Sequence, residues 1–258
     1  MVYVEVKATE INIFEKSIDN QEWRRDLFPL PNGFFSSAGC DKPVKSLGLP
    51  KKKGASVILA ANTRECLVRI TDIPEIAKMK KISDTKQWEF VRRAFPFGET
   101  INENTHIFDG CVFSCGDESP KYFITALPMR ICDLIAEIGL AVADNIMRVT
   151  RIETVEHLLI RRYADDTKAG TGLLFLLPQG ESVRGLYIEN GMPHSSFLSS
   201  MEQNHRALEL ARFYAYIKKG ATARIKAVVL DSCDKNLGWV AECGFETEFR
   251  RYDFRDLL

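Results

Sequence analysis

The sequence predicts an α/β protein of two lobes, each a mixed β-sheet flanked by helices. Three observations carry that expectation. Strand pairs with hairpin spacing open both halves of the chain, at residues 2–15 and 172–189. A polar stretch at 165–171, containing two Asp, two Thr, a Lys and a Gly, separates the halves. After it the pattern restarts in the order βββαβαβ, whereas the first half opens with hairpins and then turns to helices. The expected layout is a first lobe over 1–164 with an inserted subdomain around 75–128, and a second lobe over 172–258.

The elements follow in order. Residues 2–15, "VYVEVKATEINIFE", alternate apolar and polar residues on both sides of Lys7-Ala8-Thr9, as two half-buried strands joined by a tight turn do. Trp23 to Phe28 forms a third strand, stopped by Pro29. Residues 31–54 are rich in Pro, Gly, Ser and Lys and read as a long loop. Strands are expected at 55–61 and 66–73, a helix at 75–94 ended by Pro96, and strands at 106–114 and 121–127. Ile131, Leu134, Ile135 and Ile138 share one helical face, and Gly139 is expected just past the end of that helix. A strand near 145–149 then leads into a helix from about 151 to 163. In the second half, strands at 172–178, 182–189 and 193–198 are expected, the last two joined by Asn190-Gly191, a pair that favours a type I′ turn. Ser200 and Gln203 have capping-box spacing for a helix whose core face is Leu210, Phe213, Tyr214 and Ile217. The buried strand "IKAVVLD", a short helix ending at Cys243-Gly244 and a last strand around 245–251 complete the chain.

At 258 residues the chain is long enough to bury a large core without disulfides or metals. Its 35 basic and 35 acidic residues cancel, so no overall field favours nucleic acid or anionic lipid, and no nucleic-acid partner is expected. The seven cysteines lie mostly inside apolar runs, which suits buried thiols in a reducing compartment. Met1-Val2-Tyr3-Val4-Glu5 begins a strand rather than a leader, and no apolar stretch approaches the ~20 residues that span a bilayer. A cytoplasmic protein is expected.

Several short motifs stand in a recognisable order: "VILAANTRECLVRITDIPEI", then "WEFVRRAFPFGET", then "KYFITALPMRICDLIAEIGLAVADNIMRVTRIETVEHLLIRRY". The key steps are Ile73-Pro74, Pro96-Phe97, Ala126-Leu127-Pro128 and Ile138-Gly139-Leu140. This ordered set resembles the PilM family of type IV pilus assembly proteins and the cytoplasmic domain of the type II secretion protein GspL. The resemblance implies an actin-like, RNase H-like fold with a cleft between the lobes. It also implies a place at the inner face of the cell membrane, with an inner-membrane protein and a motor ATPase as partners. The loop at 31–54 stands where PilM-like chains place a helix, which leaves a compact or GspL-like relative the better match. A GspL-like protein would continue past Leu258 into a membrane-spanning segment, so any membrane contact is expected through partners or through such a segment.

In that fold two glycine-containing hairpin turns approach the nucleotide phosphates, and an Asp in each organises Mg²⁺. This chain departs at every station. The first hairpin, expected as Asp-x-Gly with a downstream Lys, reads Glu5-Val6-Lys7-Ala8-Thr9, so Lys7 stands where glycine belongs. At the second, the strand ends Leu177-Pro178-Gln179-Gly180, with Ser182 opening the next strand, and Pro178 has no N–H to offer. Asp231-Ser232 stands where the adenosine turn would carry Gly-Gly. Glu5, Lys7, Thr9, Gln179, Gly180, Ser182, Asp231 and Ser232 therefore mark a vestigial cleft, and no nucleotide or other cofactor is expected.

The remaining candidates reduce to structural roles. Cys111-x-x-x-Cys115 with His106 lacks a second ligand pair, so no metal site is expected. His157, after Glu153 and Glu156, reads as part of a solvated helix face. Ser195-Ser196 after His194 lacks a nucleophile elbow. The lysines at 51–53 read as solvated charge. The expected function is that of a non-enzymatic assembly scaffold, with an actin-like ATPase working through Glu5, Thr9 or Ser182 as the alternative.

Overall fold

The computed structural model describes residues 1–17, 21–35, 44–63, 65–72, 101, 104–114, 119–167, 170–179, 182–199, 203–231, 246–251 and 253–258. The helices expected at 75–94 and before Gly244, and the cap at Ser200, lie outside the described residues.

Two five-stranded sheets organise the chain. The first comprises β1 (Val2–Lys7), β2 (Glu10–Lys16), β3 (Trp23–Pro29), β4 (Val57–Asn62) and β8 (Val149–Thr154). Its spatial order is β3-β2-β1-β4-β8, antiparallel through the two hairpins and parallel for β1, β4 and β8. The second comprises β9 (Thr171–Gln179), β10 (Ser182–Glu189), β11 (Met192–Leu198), β12 (Arg224–Asp231) and β13 (Thr247–Arg251). Its order, β11-β10-β9-β12-β13, repeats the first strand for strand, with the same parallel and antiparallel pairings. A smaller antiparallel sheet, β5-β7-β6, is formed by β5 (Leu67–Asp72), β6 (His106–Phe113) and β7 (Lys121–Pro128), inserted after β4. The Ser196 hydroxyl donates to the Val68 carbonyl at 2.8 Å, tying the inserted sheet to β11.

The period-two alternation of the strands decides which residues face which layer. Val2, Val4, Val6, Val57, Leu59 and Ala61 pack against α1 (Met129–Val142), on which Ile131, Leu134, Ile135 and Ile138 form the inner face. On the other face, Tyr3, Phe14, Ile58 and Ala60 meet α2 (Val155–Tyr163) and the residues Phe175, Leu177, Leu186 and Ile188 of the second sheet. One apolar core therefore joins the two lobes, with Tyr163 packed on Phe175 at 4.8 Å and Phe14 stacked on Phe254 at 5.1 Å between ring centres. Leu174, Leu176 and Val229, on the far face of the second sheet, pack against α3 (Gln203–Gly220) through Leu210 and Ile217. Each such fully buried aliphatic side chain contributes about 1.5–3 kcal/mol of burial.

Five local expectations need correction, the first being the strand near 145–149: Ile146–Arg148 is a 3-10 turn and the strand runs from Val149 to Thr154. Gly139 does not end its helix: α1 runs on to Val142 and is closed by Ala143. The glycine is required because the helix lies so close to β4 that a Cβ there would stand 2.8 Å from Leu59 Cδ1. The stretch around 151 is strand rather than helix; α2 begins only at Val155, where the Thr154 hydroxyl caps it by accepting the His157 N–H at 3.2 Å. The face carrying Glu153 and Glu156 is buried rather than solvated. Lys52 also departs from expectation, as its ammonium group is held by Glu15 at 2.7 Å and Asp26 at 3.6 Å. The Asn190-Gly191 turn is as read, with φ of 52° and 77° at its two central residues.

Candidate functional site

The first hairpin (β1–β2) and the second (β9–β10) occupy equivalent positions in their two sheets, and the sheet faces beneath them look into the shared core. On the first sheet, Glu5, Asn12 and Asn62 lie on the same face as Tyr3, Phe14 and Ala60, at the ends of their strands beside the turn. Glu5 is 1% exposed, and both of its carboxylate oxygens are engaged. Asn62 Nδ2 donates to Oε1 at 2.7 Å and Asn12 Nδ2 donates to Oε2 at 3.0 Å. The Lys7 ammonium group stands 3.7 Å from Glu5 and donates to Glu10 at 3.0 Å. Asn12 is itself saturated: its amide also donates to Glu10 at 3.0 Å, while its carbonyl accepts from Arg25 at 3.0 and 2.8 Å.

On the second sheet, Arg184 of β10 takes the same facing position. Its guanidinium pairs with Glu156 of α2 and donates to the carbonyl of Thr63, next to Asn62, at 2.9 Å. Arg184 and Glu156 are 3% and 2% exposed. A polar chain thus runs across the molecule from Asn12 through Glu5, Asn62 and Thr63 to Arg184 and Glu156. It binds the end of β4 to the second sheet.

Buried charge needs a partner to be tolerated, and each ionised group in this chain has one. Glu156 Oε2 and the Thr63 hydroxyl accept no hydrogen bond among the described residues. The Cys66 N–H donates to the Thr63 carbonyl at 3.1 Å, and burial drives the Cys66 thiol up to about 12, against the opposing pull of Arg184. That thiol is neutral, so it serves as packing and not as a nucleophile.

The structure brings Glu5 and Lys7 together and leaves Thr9 exposed at the tip of its turn. Ser182 is 3% exposed, at the start of β10 opposite Gln179. Asp231 is the last residue of β12, and Gly180 and Ser232 lie outside the described residues. Sequence reasoning missed Asn12, Asn62, Arg184 and Glu156. For Asn12 alternation points the wrong way, since it stands between the apolar Ile11 and Ile13 on the side read as solvated; Asn62 gives a weak signal as the amide that ends an apolar run. His157 is wedged against Phe123 and Phe113, at 5.9 and 6.4 Å between ring centres, and burial holds its pKa below the ordinary value. Cys111 is half-buried on β6, where burial raises its thiol to about 11, and Cys115 lies outside the described residues. Among the described residues, no group of three His, Cys, Asp or Glu is placed to hold a metal ion, and no helix is long and apolar enough to cross a membrane.

No protein-family model matches the sequence, and no curated protein matches it. Solved structures match over almost the whole chain. A protein of unknown function from Bacteroides thetaiotaomicron, described as having an actin-like ATPase fold, is similar with a TM-score of 0.62 at 8% identity, over 99% of this chain and 94% of that one. The PilM–PilN type IV pilus biogenesis complex is similar with a TM-score of 0.64 at 13% identity, over 98% of this chain and 90% of that one. The chain therefore has the actin-like ATPase fold, a mixed α/β architecture of two lobes. At such identities the likeness establishes the fold alone.

Proposed function

We propose that the chain is a cytoplasmic assembly scaffold with an actin-like fold and a degenerate nucleotide cleft. It acts in a machine of the type IV pilus or type II secretion kind, at the inner face of the cell membrane. A membrane component and a motor ATPase are its partners in this reading. The observation that carries the loss of nucleotide is the polar chain between the hairpins. A nucleotide with Mg²⁺ needs a free carboxylate, open backbone donors and space between the lobes. Glu5 already spends both oxygens on Asn12 and Asn62, and Arg184 with Glu156 fills the opposite wall. In this reading those side chains stand where the nucleotide and its metal would bind. The likeness to a pilus biogenesis complex, and the order of motifs noted in the sequence, favour the assembly setting.

A second reading, a working ATPase with an atypical site, is favoured by Thr9, which is exposed at the first turn and able to meet a phosphate. It gives Ser182 the same task, which its burial opposes. Thermal unfolding with and without millimolar Mg-ATP separates the readings. Pull-down with membrane and motor components of a pilus or secretion machine then tests the assembly role, and absence of any association under mild salt defeats it.

A further inference from the structure

After the last strand of the second sheet the chain crosses back to the first. Residues 253–258 follow β13, an edge strand of the second sheet, yet Phe254 stacks on Phe14 of β2 with ring centres 5.1 Å apart. Phe254 and Leu257 stand three residues apart in one 3-10 turn (Phe254–Leu257), a spacing that puts both on the same side. They are 2% and 4% exposed, and both belong to the core shared by the lobes. The turn lies beside α2, where Arg162 Nε donates to the Asp256 carbonyl at 3.2 Å. Its other hydrogen bonds among the described residues are its own. The Asp253 carboxylate caps it by accepting the Arg255 N–H at 2.9 Å, and the N–H groups of Asp256 and Leu258 donate to the carbonyls of Asp253 and Arg255 at 3.0 and 3.2 Å. The turn is therefore shaped from within and held to the first lobe by two apolar side chains and one hydrogen bond. Against that hold stands the conformational entropy of the residues it orders. Its opening belongs at the low end of the local stability scale, well before the opening of a central strand such as β9.

We infer that residues 253–258 are a detachable clasp over a peptide-binding groove of the first lobe. Seated, the clasp fixes the second lobe to the first. Unseated, it uncovers an apolar groove between β2 and α2 that accepts a segment of the same design from a partner. The segment already in place defines that design: an aromatic ring for the face of Phe14, a leucine three residues later, and a backbone carbonyl for Arg162. A clasp shares a molecule with its groove, at an effective concentration in the millimolar range. The native chain thus turns away weak segments and admits those that outcompete its own.

The test uses the full chain and a fluorescent peptide of residues 252–258, with a control copy in which alanine replaces the phenylalanine and the first leucine. Anisotropy is expected to show saturable binding to Phe254→Ala about tenfold or more tighter than to the native chain, and no binding of the control peptide. Asp253→Ala removes the cap and leaves the groove intact, so it serves where Phe254→Ala fails to fold; its affinity is expected to fall between the two. Adding Arg162→Ala to either variant weakens its hold on the peptide. Hydrogen exchange of the native chain is expected to be about tenfold or more faster at residues 255–258 than in β9. The proposal is overturned by absence of saturable binding, by equal binding to native and variant chains, by binding of the control peptide, or by exchange at 255–258 as slow as that of β9.

Discussion

Arg184 of β10 and Glu156 of α2 form an ion pair in the interior, and the same guanidinium holds the Thr63 carbonyl at 2.9 Å. The pair joins elements of the two lobes, and its two side chains are 3% and 2% exposed. Removing one member leaves the other charge buried and alone, which costs about 3–5 kcal/mol. Arg184→Ala is therefore expected to lower the urea midpoint sharply. The double change Arg184→Met with Glu156→Leu is expected to recover most of the loss, since an apolar pair of similar volume has no desolvation cost. A double variant as unstable as the single one would show that the pair is not the source of the effect.

Glu189, at the end of β10, accepts four hydrogen bonds: from the Tyr187 hydroxyl at 2.8 Å, the Thr222 hydroxyl at 2.6 Å, and the N–H groups of Thr222 and Ala223 at 2.8 and 2.7 Å. Burial alone would raise its pKa, but the bonds from Thr222 and Tyr187 outweigh it and hold the carboxyl below its ordinary 4.5. A depressed carboxyl stabilises the fold above the unfolded value and loses that contribution as pH falls through the folded one. Glu189→Ala is expected to cost about 2–3 kcal/mol at neutral pH, because the buried donors lose their acceptor. Glu189→Gln should flatten the stability profile below pH 4.5. A Gln variant with the native acid profile would contradict this.

His157 gives the second pH effect, at a higher pH. Burial between Phe113 and Phe123 lowers its pKa from 6.5, with Arg161 and Arg151 acting in the same direction and Glu153 and Asp109 opposing. A histidine that is harder to protonate in the folded state leaves stability intact above 6.5 and drains it as pH falls from there towards the folded value. The expected outcome is a declining limb in that window for the native chain and a flatter one for His157→Gln, read from denaturation midpoints across the window.

Glu5 distinguishes the two functional readings by a single substitution. With both oxygens engaged by Asn12 and Asn62, Glu5→Ala strands two buried amides, for a loss of about 1–3 kcal/mol. The scaffold reading expects that destabilisation and no change in nucleotide affinity, since there is none to lose. Measurable Mg-ATP binding by the native chain that vanishes in Glu5→Ala would favour the ATPase.

The sequence exposed whatever has a short period. Alternation in residues 2–15 and 172–198 marked the strands, Asn190-Gly191 marked its turn, and Leu210, Phe213, Tyr214 and Ile217 marked the inner face of α3. It misplaced features decided by contacts distant along the chain. Gly139 looks like a helix terminus locally, and only the approach of α1 to Leu59 shows that it is a packing residue. Glu153 and Glu156 look like a solvated face, but Glu153 is buried beside Arg151 and Arg161 and Glu156 pairs with Arg184 of the second sheet, contacts that no local pattern shows. Arg184 sits in an ordinary strand, and its acceptor on Thr63 lies 121 residues away, where no periodicity can reach. The polar chain that links the end of β4 to the second sheet was not legible, because its members lie far apart in the sequence.

The most direct test of the central claim, that the chain's own side chains fill its nucleotide cleft, is the thermal midpoint of the full chain with and without millimolar Mg-ATP. A ligand present at about 100 times its dissociation constant stabilises by about 2.7 kcal/mol, a rise of roughly 5–10 °C at ~2–4 °C per kcal/mol for a chain of this size. The account predicts no shift. A rise of that size that grows with nucleotide concentration would contradict it and would make the chain a nucleotide-binding member of its fold.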